Sequence, residues 1–255
     1  MQELILLTKY YDPLLVIASI IVACAGSYAS LEMNQRLARN NEFKWSILLI
    51  ASCTMGLSIW AMHFIGMASF SIPIEITYHW GLTFLSIVPA IFSAFIAFFT
   101  LYRFKPKPLL LLIAGLVMGG GITSMHYIGM SAIQFPGILS YRDMPLLLSI
   151  VIAVAVSFVA LYLFRVLQKI NTGWVTVPVA IVMGLAISGM HYTGMVASEF
   201  CLPIANQDLL GSSPVRSREF LGTISGVIVG AAIIVLIVYL QSERRFFNGY
   251  CTEMD

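Results

Sequence analysis

Imidazole and thioether groups recur in one frame along this chain: Met62-His63-Phe64-Ile65-Gly66-Met67, Met125-His126-Tyr127-Ile128-Gly129-Met130 and Met190-His191-Tyr192-Thr193-Gly194-Met195. Three of the four histidines in the sequence occupy that frame. On a helix, residues four apart share a face, so His63 with Met67, His126 with Met130 and His191 with Met195 form three like pairs. Met62, Met125 and Met190 lie roughly 100° round the helix from their histidines and are weaker partners. Imidazole and thioether together suit copper, and Cu(I) especially. No single copy offers enough ligands. Three helices presenting the same groups at one depth would supply three imidazoles or a mixed shell, which makes these three His and six Met residues the candidate metal ligands.

A Met-His pair on an apolar helix ordinarily packs in a core with its imidazole hydrogen-bonded. Repetition in frame shifts the balance toward a shared site, although duplicated segments inherit their sequence and are not independent instances. Glycines 66, 129 and 194 would let neighbouring helices approach beside the ligands. Met55, Met118 and Met183, seven residues before each Met-His pair, read as fillers of irregular core space. His79 reads as an interfacial loop residue, and Glu75 and Glu199 as solvated loop carboxylates. Gln134 and Glu199, each eight residues after a histidine, are candidates for bonding to the ligands from behind.

These groups need helices to hold them, and the composition supplies membrane-crossing ones. The chain has 255 residues, 59% hydrophobic and 10% charged, a balance typical of an integral membrane protein. A span needs roughly 20 apolar residues. Seven segments qualify, near 12 to 31, 45 to 68, 80 to 102, 109 to 130, 145 to 167, 175 to 196 and 220 to 240. Arg36, Arg39, Lys44, Arg103, Lys105, Lys107, Arg165, Lys169, Arg244 and Arg245 fall on one side of these spans, against Lys9, Arg142, Arg216 and Arg218 on the other. The positive-inside rule then places the N-terminus outside and the C-terminus in the cytoplasm, with the three histidines near the outer surface and accessible rather than deep. An intramembrane histidine is a functional hypothesis by default. The first span lacks a cleavage pattern and reads as retained. The four cysteines form no disulfide framework or metal-spaced pair.

The repeat extends beyond the phrase. Leu85-Ser86-Ile87-Val88 recurs as Leu148-Ser149-Ile150-Val151, and Phe95 recurs as Phe158, at the offset of 63 that carries His63 to His126. From His126 to His191 the offset is 65. The fold expected is an all-α seven-transmembrane bundle: three helical hairpins repeated in parallel and a closing helix, with residues 1–245 as the membrane domain and 246–255 as a short cytoplasmic tail. Parallel repeats are unlike the inverted repeats of many transporters. The outer loops read as turns, and only the last, 197–218, is long enough to fold over the outer face.

With its three-fold register and the full spelling Met190-His191-Tyr192-Thr193, the chain resembles the MHYT-domain proteins, bacterial integral-membrane sensor modules named for that phrase. The resemblance covers all seven spans; Phe64, Ile65 and Ile128 depart from the phrase. It implies copper bound by the repeated motifs, sensing of O2, CO or NO, and a signal passed to a cytoplasmic output domain or partner protein, often one of cyclic di-GMP turnover. It also implies a multi-pass protein of the bacterial inner membrane, with the lipid bilayer as its surroundings and no nucleic acid as partner. No output domain follows Tyr250, so a separate partner or a truncated chain is expected, and no nucleophile–base pair or phosphate loop suggests an enzyme. Haem is an alternative ligand, since paired intramembrane His, or His with Met, can be axial ligands. Metal transport is a third reading, without a buried Asp or Glu to favour it. A retinal photoreceptor is disfavoured because the seventh span has no Lys for a Schiff base.

Overall fold

Six of the apolar runs form helices long enough to cross a bilayer: Pro13–Gln35, Trp45–Ser69, Trp80–Arg103, Pro108–Ser131, Asp143–Val166 and Thr176–Ala197. The computed structural model describes residues 3–39, 45–104, 108–167 and 176–211. The seventh span expected at 220–240 and the tail at 246–255 lie outside these. The described residues belong to one compact unit, Met1–Ser217.

The helices are α1 (Pro13–Arg39), α2 (Trp45–Ser69), α3 (Trp80–Leu85), α4 (Ile87–Arg103), α5 (Pro108–Ser131), α6 (Asp143–Leu167) and α7 (Thr176–Ala197). Asp12 caps α1, its carboxylate accepting from Leu14 N at 2.9 Å, with Pro13 at the first helical position where a missing N–H costs nothing. The third span, Trp80–Arg103, runs where expected, with a one-residue turn at Ser86 that divides it into α3 and α4 while Ser86 N still donates to the Leu82 carbonyl at 3.0 Å. Pro89 has no N–H to give to the Leu85 carbonyl, so the helix cannot run through unchanged. His79, expected to be an interfacial loop residue, stands at the loop's end and caps α3 by accepting from Leu82 N at 3.3 Å.

Contacts close the helices into a ring in the order α1, α2, α4, α5, α6, α7 and back to α1. The histidine-bearing helices α2, α5 and α7 also touch one another across the centre. Burial agrees: 72%, 44% and 56% of their spanning windows are buried, against 28%, 39% and 28% for the helices of α1, α3–α4 and α6. Three inner and three outer helices thus alternate about a pseudo-three-fold axis. Each inner helix meets the outer helix of the next repeat through a glycine, because a Cβ at Gly56, Gly119 or Gly184 would overlap the backbone of Ile91, Val154 or Cys24.

At the histidine end, the outer loops expected to be turns and the segment before α1 pair as short strands, a departure from a purely α fold. β2 (Tyr10–Tyr11) pairs with β3 (Phe70–Ser71), β4 (Thr77–Tyr78) with β5 (Ile133–Gln134), and β6 (Ile138–Tyr141) with β7 (Ser198–Pro203), all antiparallel. In each case the strand before an outer helix binds the strand after the following inner helix, zipping that hairpin at its open end. The equivalence holds in detail: the N–H groups of Asp12, His79 and Arg142 donate to the carbonyls of Ser69, Ala132 and Ala197 at 2.9, 2.8 and 2.9 Å. β1 (Leu4–Leu6) adds to β7 and makes the three-stranded sheet β1-β7-β6. Along β7, Ser198, Phe200 and Leu202 are buried and the residues between them are not, the alternation of a strand with one face on the bundle. Its phenyl ring, Phe200, meets Phe70 at 4.9 Å and Phe135 at 5.5 Å. Each of the three follows a different inner helix, so the contacts of Phe200 link the ends of all three.

Candidate metal centre

The three histidines come together between the inner helices. Each sits in the last two turns of its inner helix, and the side chains converge. His63 Nδ1 lies 3.0 Å from His191 Nδ1 and 3.2 Å from His126 Nδ1, and the third side of the triangle is also 3.2 Å. All three residues have no exposed surface. The expectation of accessible groups is therefore corrected: the three imidazoles are wholly enclosed.

The donor chemistry of this triangle is informative. In a neutral imidazole, Nδ1 is either an N–H donor or a lone-pair acceptor, along a single direction. Three mutually adjacent nitrogens with two roles leave at least one pair alike, proton facing proton or lone pair facing lone pair. A central cation removes the conflict, because all three can then present lone pairs and carry their protons on Nε2. The Nε2 atoms are buried without a hydrogen-bond partner, so no donor on that side holds the rings in the opposite tautomer. A point equidistant from three atoms so spaced lies slightly inside the ~2.0–2.1 Å of a metal–imidazole bond, and small ring movements admit an ion. The three histidines are the metal-capable cluster among the described residues, and the cluster contains no carboxylate.

Met62, Met67, Met125, Met130, Met190 and Met195 are all buried beside them, none more than 1% exposed. The defining contacts of the cluster are those between imidazoles. Of the deeper methionines, Met55 and Met118 receive the hydroxyls of Ser27 and Ser93, each at 3.9 Å, in keeping with packing roles. Gln134 and Glu199 do not stand behind the histidines. Both lie in strands beyond the helix ends, where the helical spacing that motivated them no longer applies, and Glu199 pairs with Arg142 at 3.5 Å. Glu75 is exposed in the loop after β3, as expected.

The aromatic residue after each histidine faces the next outer helix. Tyr127 Oη lies 2.7 Å from Ser149 Oγ and Tyr192 Oη 2.8 Å from Ser19 Oγ. Ser86 is the corresponding residue beside Phe64, where no phenol exists. Ser19, Ser86 and Ser149 all donate to the carbonyl three residues back at 2.7 Å. Sequence reasoning passed over this serine, although it stands inside the repeated Leu-Ser-Ile-Val string. It also missed Tyr11, Tyr78 and Tyr141, which precede the three outer helices and pack on Tyr192, Phe64 and Tyr127 at ring distances of 6.4, 6.5 and 5.3 Å.

Two cations close the end of α7. Lys9 Nζ donates to the carbonyls of Met195 and Ser198, both at 2.7 Å, and Arg142 Nη2 donates to that of Val196 at 2.8 Å. Positive charge at a helix C-terminus is favourable. Burial, with Arg142 nearby, lowers the Lys9 pKa from its usual value, and Glu199 partly offsets this. Burial raises the Tyr11 and Tyr141 phenols to about 12, with Tyr192 and Tyr127 adding to the respective shifts.

Six apolar helices define the class of the molecule: a multi-pass membrane protein, with three buried imidazoles clustered inside its bundle. Three segments of the chain, residues 56–114, 119–176 and 184–246, match the MHYT family, described as a bacterial signalling protein N-terminal repeat. The chain belongs to that family. Each matched unit runs from the histidine half of one inner helix into the region that follows, a different phase from the hairpin but the same period. Over 203 residues the chain is 42% identical to the bifunctional diguanylate cyclase/cyclic di-GMP phosphodiesterase MucR of Pseudomonas aeruginosa, covering 77% of this chain and 29% of that protein. It is 37% identical over 195 residues to the signaling protein YkoW of Bacillus subtilis, covering 74% of this chain and 24% of that one. It is 30% identical over 238 residues to the cyclic di-GMP phosphodiesterase NbdA of P. aeruginosa, with 92% and 30% covered. The chain thus spans less than a third of the length of each of these relatives. No solved structure matches it.

Proposed function

We propose that this chain is a sensor module of the bacterial inner membrane, its histidine end outward, in which His63, His126 and His191 bind one copper(I) ion. The observation that carries this reading is the triangle of Nδ1 atoms at 3.0–3.2 Å. The charge of the ion follows from the surroundings. Burying an ion costs steeply with its charge, and three neutral imidazoles with neighbouring thioethers offer nothing to offset a second positive charge. Bound there, copper(I) supplies a soft, electron-rich centre that can take a neutral diatomic such as CO, NO or O2. The protein's own part is to exclude water and hydrated ions by enclosing the imidazoles, and to fix the three imidazoles on three different helices. A change at the centre then alters the packing of all three inner helices. The relatives MucR and NbdA are named as cyclic di-GMP enzymes, and we infer that this module passes its signal to such an output, on the same chain or on a partner.

The spacing weighs against haem, because imidazoles 3.0–3.2 Å apart leave no room for a macrocycle between them. The test is metal content by mass spectrometry after purification in detergent and loading with Cu(I). Wild type should hold one copper per chain. His63→Ala, His126→Ala and His191→Ala should each abolish tight binding, with helical circular dichroism unchanged. Equal copper in wild type and the triple Ala variant sinks the reading. A CO stretching band in the infrared spectrum of loaded wild type, absent from the variants, tests the gas-binding part.

A further inference from the structure

The glycine of each repeated phrase lies under the imidazole of another repeat. A Cβ at Gly129 would stand 2.5 Å from His63 Nε2, one at Gly66 would stand 2.5 Å from His191 Nε2, and one at Gly194 would collide with His126 Nε2. Each ring therefore starts on one inner helix, passes the axis with its Nδ1, and ends with its far edge against the backbone of the next inner helix. These same Nε2 atoms are the ones buried without a hydrogen-bond partner. Glycine is not simply tolerated throughout these helices: Gly120 and Gly189 have nothing within 4 Å of a built Cβ.

We propose that Gly66, Gly129 and Gly194 are positioning residues that select Nδ1 as the inward nitrogen, each acting on the histidine of a different repeat in the cycle Gly129–His63, Gly194–His126, Gly66–His191. The imidazole is a rigid plate. Pushing its Nε2 edge back by the depth of a methyl group carries Nδ1 off the axis by a similar amount. A glycine substitution in one repeat thus disturbs the ligand of another and breaks the triangle at two of its three sides. Any ion at the centre is held through Nδ1, with Nε2–H facing a bare glycine Cα instead of the carboxylate or carbonyl that usually orients a metal-bound imidazole. The ligand in this inference rests on the copper reading. The seating itself does not.

The experiment is nuclear magnetic resonance of protein in lipid nanodiscs with ring-labelled histidine and Cα-labelled glycine. In metal-free wild type, through-space cross-peaks should join the ring of His63 to Gly129, of His126 to Gly194 and of His191 to Gly66. Their absence overturns the seating whether or not metal binds. Gly129→Ala should then shift the His63 ring signals most, Gly194→Ala those of His126 and Gly66→Ala those of His191. A pattern confined to the histidine of the substituted repeat overturns the proposal. With Ag(I) as a diamagnetic probe, the silver coupling should appear at Nδ1, and coupling at Nε2 also overturns it. Each Ala variant should lose about 10-fold to 100-fold in Ag(I) affinity, the usual cost of disturbing a ligand's support, while Gly189→Ala matches wild type. If wild type takes up no Ag(I) or Cu(I), the copper reading fails and the cross-peaks still decide the seating.

Discussion

At the scale of single residues, the aromatic position after each histidine is a natural experiment within one chain. Tyr127 and Tyr192 reach serines on the neighbouring outer helix at 2.7 and 2.8 Å, whereas Phe64 has no hydroxyl to offer at the equivalent position. Phe64→Tyr should be accommodated, because Ser86 occupies the place that Ser149 and Ser19 hold in the other repeats. The expected gain is about 0.5–1.5 kcal/mol, a typical net hydrogen bond, and Tyr127→Phe should lose a similar amount, both read from thermal unfolding in detergent. A loss of about 1–3 kcal/mol for Phe64→Tyr would mean that the new hydroxyl is buried without a partner. The histidines were legible in the sequence because their type is rare in an apolar chain and their frame repeats. The serines were not, because a Ser that bonds back to its own helix is common in apolar helices, and only the convergence of the fold gives it a cross-helix partner.

At the scale of elements, the cap of strands decides how the centre meets the exterior. Lys9 closes two carbonyls at the end of α7 and in β7 with bonds of 2.7 Å. Lys9→Met should cost about 1–3 kcal/mol through the carbonyls left unpaired and should raise hydrogen exchange across 198–203 more than in the helices. Uniform protection in that variant would show that the cap is held by its ladder alone. The cap also has an alkaline limit. The Tyr11 and Tyr141 phenols are raised from 10.0 to about 12, so the folded state favours their neutral form. The stabilisation from that preference is fully present below pH 10 and is lost as pH rises through about 12. Tyrosinate absorbance from these two residues should therefore lag behind that of free tyrosine, and exchange in the cap should rise over the same window; titration of both at pH 10 would contradict the desolvation of their hydroxyls. These strands escaped the sequence reading for a physical reason. Strands of two residues, such as Tyr10–Tyr11 and Phe70–Ser71, carry no period. The helices, of 17 residues and more apart from α3, announced themselves through length and hydropathy.

At the scale of the whole molecule, the repeats must close a ring, and closure is what brings groups 63 and 65 residues apart in sequence to within 3.2 Å. The sequence disclosed the period but not the closure, since a parallel repeat could equally have formed an open row of hairpins. The contact between α1 and α7 makes the difference. Within it Gly184 stands against the backbone of Cys24, where a Cβ would overlap it, and Gln35 Nε2 adds a bond to Thr176 Oγ1 at 2.7 Å toward the far end. Gly184→Val lies about two helical turns from His191 and touches none of the histidines. It should nevertheless force α1 and α7 apart at a cost of about 1–3 kcal/mol, the range for overpacking a tight contact. Because α7 carries one corner of the triangle, copper should be released at a lower chelator concentration as well, and the melting temperature should fall. Gly189→Val, on the same helix but facing open space, controls for the loss of a glycine. Copper retained at wild-type affinity in a Gly184→Val protein that has lost stability would mean that the three inner helices hold the site without the ring around them. Release in step with the lost stability would mean that site and ring form one cooperative unit, the property through which a change at three imidazoles can reach the opposite end of the bundle.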